Sequence, residues 1–72
     1  MNTKEKADAL VDKFKIEITG NKHLVNILAL DYAIISVERT IEVLSKMDNE
    51  IYNIEPYITE QTELLNELKS RI

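Results

Sequence analysis

An apolar ladder in the middle of the chain constrains the fold more than any other feature of the sequence. Its members recur at alternating spacings of three and four residues, and they are Ile27, Leu30, Ile34, Val37, Ile41 and Leu44. Residues at this spacing lie on one stripe of an α-helix, because successive side chains are about 100° apart around the helix axis. The ladder therefore predicts a long helix that packs against other helices.

The composition leaves regular helix packing and self-association as the means by which so short a chain becomes stable. With 72 residues, the chain is expected to form a single domain over residues 1–72 with a small core. It contains no cysteine, which excludes disulfides and thiolate metal sites, and its single histidine excludes a multi-histidine metal site within one chain. No metal and no cofactor are therefore expected.

Hydropathy predicts a soluble, cytoplasmic protein. The strongest apolar stretch, residues 24–37, is shorter than the ~18 residues that a membrane span needs, and Asn26, Asp31 and Ser36 interrupt it. The first residues, Met-Asn-Thr-Lys-Glu-Lys, lack the apolar core of a signal peptide. We therefore expect an intracellular protein, in the cytoplasm of its host cell, that makes no contact with a membrane.

A first helix is predicted near the start of the chain. It begins at about Asn2, which can cap the helix together with Glu5 in a capping-box arrangement. Its apolar face consists of Ala7, Leu10, Val11 and Phe14. Polar and apolar residues alternate over residues 14–18, and this alternation is also compatible with a short extended segment. Gly20 and Asn21 end the segment, because both tolerate the left-handed backbone of a turn.

The central helix is predicted to run over about residues 22–46. A second apolar stripe lies beside the ladder and consists of Leu28, Tyr32 and Ile35. A helix that is apolar over so wide an arc is expected to lie between two partners. Asp31 has apolar neighbours, so we expect its carboxylate to be partly buried and paired with Arg39 or with a lysine of the first helix.

The third segment repeats the spacing of three and four, with one polar interruption. Its members are Ile51, Ile54, Ile58, Gln61, Leu65, Leu68 and Ile72. Pro56 leaves two alternatives, because proline lacks a backbone donor and disfavours the helical conformation of the residue before it. Either a helix begins near Pro56, or a longer helix from about Asn49 is kinked there, and the unbroken spacing favours the kinked helix. The sequence thus predicts an all-α fold, in which a short N-terminal helix packs on a long antiparallel helical hairpin.

Charge is distributed unevenly along the chain. Residues 1–47 carry seven bases and seven acids, whereas residues 48–72 carry six acids and two bases. One interpretation is a solvated face whose charges complement the helix dipole, and the other is an acidic strip that meets a basic partner surface. Because the net charge is −4 and the lysines are interspersed with acids, direct nucleic-acid binding is not expected.

The candidate partner-binding residues lie in this acidic region, where two tyrosines flank Pro56 and are expected to be partly exposed. Interfaces are enriched in such aromatic side chains. The candidate set is Tyr52, Tyr57, Glu55, Glu60, Glu63 and Glu67. Two pairs at a spacing of four residues, Glu42 with Lys46 and Glu67 with Arg71, are expected to form ordinary surface ion pairs.

The sequence contains no recognisable catalytic constellation. No serine has a histidine at helical reach, and a single glycine excludes phosphate loops and dinucleotide-binding motifs. His23 is expected to face solvent in the first turn of the central helix, with no second metal ligand beside it. We therefore expect a protein that is not an enzyme.

Three segments resemble the small helical proteins of Bacteroidetes phages and prophages. Residues 4–14 read KEKADALVDKF where those proteins open with KAKELVDKF, and residues 33–41 read AIISVERTI where they carry ALIAVDEII. Residues 63–72 resemble their closing amphipathic helix more loosely. Glu38 stands where the family has Asp, and Arg39 stands where it has Glu. The resemblance implies a phage setting and implies no activity.

These observations together favour a non-catalytic protein–protein interaction module, encoded by a phage, that binds and inhibits or redirects a host protein such as a defence nuclease. The alternative is a homo-oligomeric structural or assembly component, in which the heptad seams pair between chains. Both remain open, because a three-four spacing marks a seam without indicating whether its mate lies in the same chain.

Overall fold

The structure, a computed structural model, describes residues 2–47 and 53–72. Three helices lie in these ranges, namely α1 (Thr3–Glu17), α2 (Lys22–Ser45) and α3 (Glu55–Lys69), and the described residues include no β-strand. The all-α, three-helix fold predicted from the sequence is confirmed. Each helix contacts the other two. Since α1 and α3 also touch each other, α2 is not enclosed between two partners, and the three helices share one core.

Helix α1 is capped at its start as the sequence predicts. The side-chain oxygen of Asn2 accepts a hydrogen bond from the backbone N–H of Glu5 at 2.8 Å, and the side-chain amide of Asn2 donates to Glu5 Oε1 at 3.1 Å. These bonds satisfy a backbone donor that the first turn of a helix leaves without an intrahelical partner. The helix therefore has a defined beginning at Thr3.

The extended segment considered for residues 14–18 is not formed, because α1 continues through Glu17. Ile18 is the first residue with extended backbone angles. Phe14 and Ile18 pack against the core, whereas Ile16 has 85% of its surface exposed. A strand would place these three side chains on one face, so the helical spacing that continues from Val11 decides the structure here.

The turn between α1 and α2 forms where the sequence predicts it, with separate tasks for its two residues. Gly20 has a φ of +141°, a backbone conformation that side chains with a Cβ atom rarely adopt. Asn21 has an ordinary φ of −68° and serves as the N-cap of α2, where its side-chain oxygen accepts from the Leu24 N–H at 3.1 Å. A glycine thus reverses the chain and an asparagine starts the next helix.

The ladder of α2 faces the core along its middle. Ile34 and Val37 are buried, and Leu30 and Ile41 pack against the core, but Ile27 is 47% exposed. The ladder does not include the most deeply buried positions of the helix, which are Ala29 and Ala33 at 0% exposure. Small side chains at these positions let the neighbouring helices approach α2 closely.

Contrary to the prediction, the second stripe of α2 is not buried between two helices. Tyr32 is 46% exposed and Ile35 is 44% exposed, whereas Leu28 is intermediate. The partial burial and ion pair predicted for Asp31 are also wrong, because its side chain is exposed and pairs with no group in the described part of the chain. Neighbouring helices therefore cover this stripe only in part, and Tyr32 contacts Phe14 of α1 at its edge.

Helix α3 begins at Glu55, so the favoured prediction of a kinked helix running through Pro56 is wrong. Asn53 and Ile54 lie outside the helix, and Pro56 occupies its first turn, where a missing N–H costs nothing. Ile54 is 5% exposed, and its carbonyl accepts the first helical bond, from the Ile58 N–H at 3.0 Å. Ile51 lies outside the described residues. Buried apolar contact at Ile54 anchors the start of the helix.

Helix α3 returns along α2 as the predicted antiparallel hairpin. Lys69 Nζ, at the far end of α3, lies 3.9 Å from Glu38 Oε2 in the C-terminal half of α2. The core face of α3 is centred on Leu64 and Leu68, with Leu65 packed at its edge, whereas Ile72 is 84% exposed beyond the helix end. The three-four spacing therefore describes the middle of α3 and fails at its end.

Two ion pairs join α1 to α3 and to the residues that follow it. Lys6 Nζ donates to Glu60 Oε1, and the Arg71 guanidinium donates to Asp8 Oδ1 at 2.7 Å. Glu60 and Arg71 are eleven residues apart in the chain, a separation of about 16 Å at helical rise. The long side chains of Lys6 and Arg71 thus link α1 both to α3 and to the chain just beyond its last residue, Lys69.

Candidate functional site

The structure places the candidate residues of α3 in two groups with different surroundings. Tyr57 is 61% exposed in the first turn, beside the exposed Glu55, so the exposure expected of this tyrosine is observed. Tyr52 lies outside the described residues. The remaining candidates, Glu60, Glu63 and Glu67, share one flank of α3 because they are three and four residues apart.

Internal ion pairs occupy much of this acidic flank. Glu60 pairs with Lys6 of α1, and Glu67 Oε1 accepts from the Arg71 guanidinium at 3.2 Å. Glu63 lies between them and has no partner among the described residues. Of the candidate acids, Glu60 and Glu67 are thus engaged in internal ion pairs, whereas Glu55 and Glu63 have no partner among the described residues.

Arg71 is the main electrostatic link between the end of the chain and α1. Its guanidinium donates to Asp8 at 2.7 Å, to Glu67 at 3.2 Å and to the backbone carbonyl of Lys4 at 3.4 Å, and 26% of its side chain is exposed. Burial lowers the pKa of Arg71, but its hydrogen bonds to Asp8 and Glu67 outweigh that effect and raise the pKa above its ordinary value. The expected Glu67–Arg71 pair is thus confirmed as part of a larger network. The other expected pair, Glu42 with Lys46, is also formed, at 3.2 Å.

An open depression of about 460 Å³ lies where all three helices meet. Its apolar floor is formed by Leu10 of α1, Val37 of α2 and Leu64 of α3. Lys6 and Lys13 lie at its edge on the α1 side. No acidic side chain lines this depression.

A second depression, of about 450 Å³, continues from the first along the α1–α2 boundary. It is lined by Phe14, Tyr32, Ile35, Ser36, Arg39 and Thr40. Ser36 and Thr40 line both depressions, so the two form one surface, which we call the α1–α2 groove. Phe14 and Tyr32 meet edge to face in it, with ring centroids 6.2 Å apart and planes inclined at 60°.

The polar groups of the groove divide into engaged and available ones. Thr40 Oγ1 donates to the Ser36 carbonyl at 2.9 Å, and Lys6 is held by Glu60. Lys13 and Arg39 are exposed, and no carboxylate within residues 2–47 or 53–72 pairs with either of them. The groove therefore combines exposed apolar side chains with two available cations.

Over the described ranges, no three His, Cys, Asp or Glu side chains come close enough together to hold a metal ion. His23 is exposed in the first turn of α2, as expected. None of the helices described here is long and apolar enough to cross a membrane.

Comparison with known proteins adds no family to these observations. No protein-family model, curated protein or solved structure matches the chain.

Sequence reasoning did not identify the residues of the groove as a site. It placed Tyr32 and Ile35 in an enclosed stripe and treated Lys13 as one of several interspersed charges. One available signal was the width of the apolar arc of α2, which exceeds what two short neighbouring helices can cover. That Lys13 of α1 and Arg39 of α2 both border this groove depends on how α1 packs on α2, and no local pattern contains that information.

Proposed function

We propose that this chain is a non-catalytic protein–protein interaction module that receives a partner in the α1–α2 groove. The observation that carries the proposal is the coincidence of half-exposed Tyr32 and Ile35 with two available cations along one continuous groove. Single exposed apolar residues are normal on protein surfaces, but a contiguous apolar surface rimmed by polar groups is typical of an interaction site.

The shape of the groove favours a helical partner segment. Both depressions are open to solvent, whereas a site for a small molecule encloses most of its ligand. An amphipathic helix instead buries one face in an open groove and leaves the other in water. This recognition mode needs apolar anchors on the groove floor and polar groups at its rim, and the α1–α2 groove offers both.

The resemblance noted in the sequence adds a biological setting to the proposal. A phage-encoded module of this kind would bind a host protein, such as a defence nuclease, in the host cytoplasm and would inhibit or redirect it. The surface formed by Tyr57, Glu55 and Glu63 is a second docking region in this proposal, suited to a basic partner surface. It is the weaker of the two, because it offers one aromatic side chain and two acids.

Site-specific photocrosslinking tests the proposal and separates the two surfaces. A photoreactive phenylalanine derivative would replace Tyr32 in one variant and Tyr57 in a matched variant, since both tyrosines are exposed and their replacement changes little volume. We expect an adduct with another protein from position 32 in cells, identified by mass spectrometry, and its loss when Ile35 is changed to Glu. Adducts from position 57 alone would move the interface to α3, and the absence of adducts from both positions would overturn the proposal.

A homo-oligomeric component is the second candidate function, and the N-terminal half of α2 favours it. Leu24 and Ile27 are 49% and 47% exposed there. Light scattering between ~0.1 and ~1 M salt would show a salt-resistant oligomer if apolar seams join the chains. A monomer at every protein concentration would exclude this candidate.

A further inference from the structure

The side chains that line the α1–α2 groove indicate the charge of its occupant. The inference drawn from them rests on the proposed function of the groove. We propose that the groove receives an acidic amphipathic helix of a partner protein. The apolar face of that helix packs on Phe14, Tyr32 and Ile35, and its carboxylates pair with Lys13 and Arg39.

The basic residues of the chain are unevenly distributed between internal ion pairs and the groove. Five of them are engaged in internal ion pairs, namely Lys6, Lys15, Lys46, Lys69 and Arg71. The other four, Lys4, Lys13, Lys22 and Arg39, pair with no carboxylate of the described residues, and of these Lys13 and Arg39 line the groove. Neither depression is lined by an acidic side chain, although the chain as a whole is acidic. The groove is therefore locally cationic on a protein whose net charge is −4.

The length of the groove matches about two turns of a partner helix. Its α2 side extends from Tyr32 to Thr40, which is about 12 Å at helical rise. Apolar side chains at positions i, i+3, i+4 and i+7 of a partner helix cover about 10.5 Å. Two turns of helix therefore fill the groove, and the partner needs no longer apolar face than this.

The two available cations, Lys13 and Arg39, border the groove on different helices. Lys13 belongs to the α1 edge and Arg39 to the α2 edge. Acidic residues that flank the apolar stripe of a helix on both sides can meet both cations at once. Arg39 adds a planar group that binds a carboxylate through two parallel hydrogen bonds.

The test uses two designed peptides of equal length and equal apolar pattern. Both carry leucine at i, i+3, i+4 and i+7, one has glutamate at the flanking positions, and the other has lysine there. Each is titrated into isotopically labelled protein, and backbone amide shifts are followed by NMR. We expect the acidic peptide to bind at least about tenfold more tightly than the basic one, with the largest shifts near Lys13, Tyr32 and Arg39.

Charge-reversal variants identify the cations that matter. We expect the double variant Lys13→Glu/Arg39→Glu to lose about tenfold or more in affinity for the acidic peptide. Lys22→Glu combined with Lys4→Glu is the control, because it changes the net charge equally at residues that do not line the groove. Circular dichroism checks that each variant keeps its helices, and the exposure of Lys13 and Arg39 makes unfolding unexpected.

The outcomes separate this inference from the proposed function. Equal affinity for the two peptides, no binding of the acidic peptide, or shifts centred on Glu55, Tyr57 and Glu63 would overturn the inference. If position 32 still crosslinks to a protein in that case, the module function stands and its partner is not an acidic helix. A loss of affinity in the control variant as large as in the groove variant would show that net charge is responsible, and would also overturn the inference.

Discussion

Leu68 provides the most direct test of the core. Its side chain is fully buried where the helices meet, and it is the largest such side chain among the described residues. Leu68→Ala removes most of this side chain and leaves a cavity that neighbouring residues fill only in part. Buried leucine-to-alanine substitutions cost about 2–5 kcal/mol, and we expect about 3 kcal/mol here because the exposure of Leu68 is zero. A domain of this length is typically stable by only about 4–11 kcal/mol.

Ile72→Ala is the matched control for this substitution. Leu68 and Ile72 belong to the same three-four ladder in the sequence, but Ile72 is 84% exposed beyond the end of α3. Its truncation is therefore expected to change the free energy of unfolding by less than about 0.5 kcal/mol. The pair thus separates periodicity in the sequence from burial in the fold.

Urea unfolding followed by circular dichroism measures both variants. With a slope of about 1 kcal/mol per molar urea for so small a domain, Leu68→Ala should lower the midpoint by about 3 M, and Ile72→Ala should leave it nearly unchanged. If Leu68→Ala is unfolded without urea, the same comparison is made in trimethylamine N-oxide, which strengthens burial of the core. Equal losses in the two variants would refute the packing of α3 described above.

Three further predictions concern the links that orient the helices. Arg71→Ala should lower the free energy of unfolding by about 1–2 kcal/mol. A double-mutant cycle with Asp8→Asn, measured by urea unfolding, should give a coupling energy of about 0.5–1 kcal/mol. Additive effects of the two substitutions would contradict the interaction between Arg71 and Asp8. Gly20→Ala should lower the free energy of unfolding by about 1 kcal/mol or more. The cause is backbone strain alone, since nothing lies within 4 Å of an added Cβ. An unchanged melting temperature would contradict the positive φ of Gly20. Asn21→Ala should cost about 1 kcal/mol in urea unfolding by removing the cap of α2, whereas Asn26→Ala inside the same helix should be close to neutral, and equal effects would contradict the cap.

The helices themselves could be predicted because their signals are local. The N-cap at Asn2, the turn at Gly20 and the periodicity of α2 involve residues only a few positions apart. Burial was less predictable, because it depends on which stretch of a helix its neighbours reach. Helix α2 has 24 residues and its partners have 15 each, so they cover only part of its length and Ile27 stays half exposed.

Alanine and charge positions were harder to interpret from the sequence than leucine and isoleucine positions. Ala33 contributes little to an apolar pattern, yet it is fully buried because a small side chain lets helices come close. The partner of Glu60 is Lys6, which is 54 residues away, so no spacing rule can find it. The contact of Glu60 with α1 was therefore not predicted, and its role in binding a partner stays a prediction.

Some charged residues form internal ion pairs and others border the groove, and this difference determines how binding has to be measured. Glu60 pairs with Lys6 of α1, and Glu67 pairs with Arg71, which also binds Asp8 of α1. Reversing these acids therefore removes folding contacts, and any loss of binding would then have two explanations. The net charge of −4 repels an acidic partner at long range, whereas Lys13 and Arg39 attract it at contact. Added salt weakens both the repulsion and the attraction, so the salt dependence of the affinity reports only the difference between them. The contrast between acidic and basic peptides in one buffer is therefore a sharper measure of the groove than the salt dependence of either peptide.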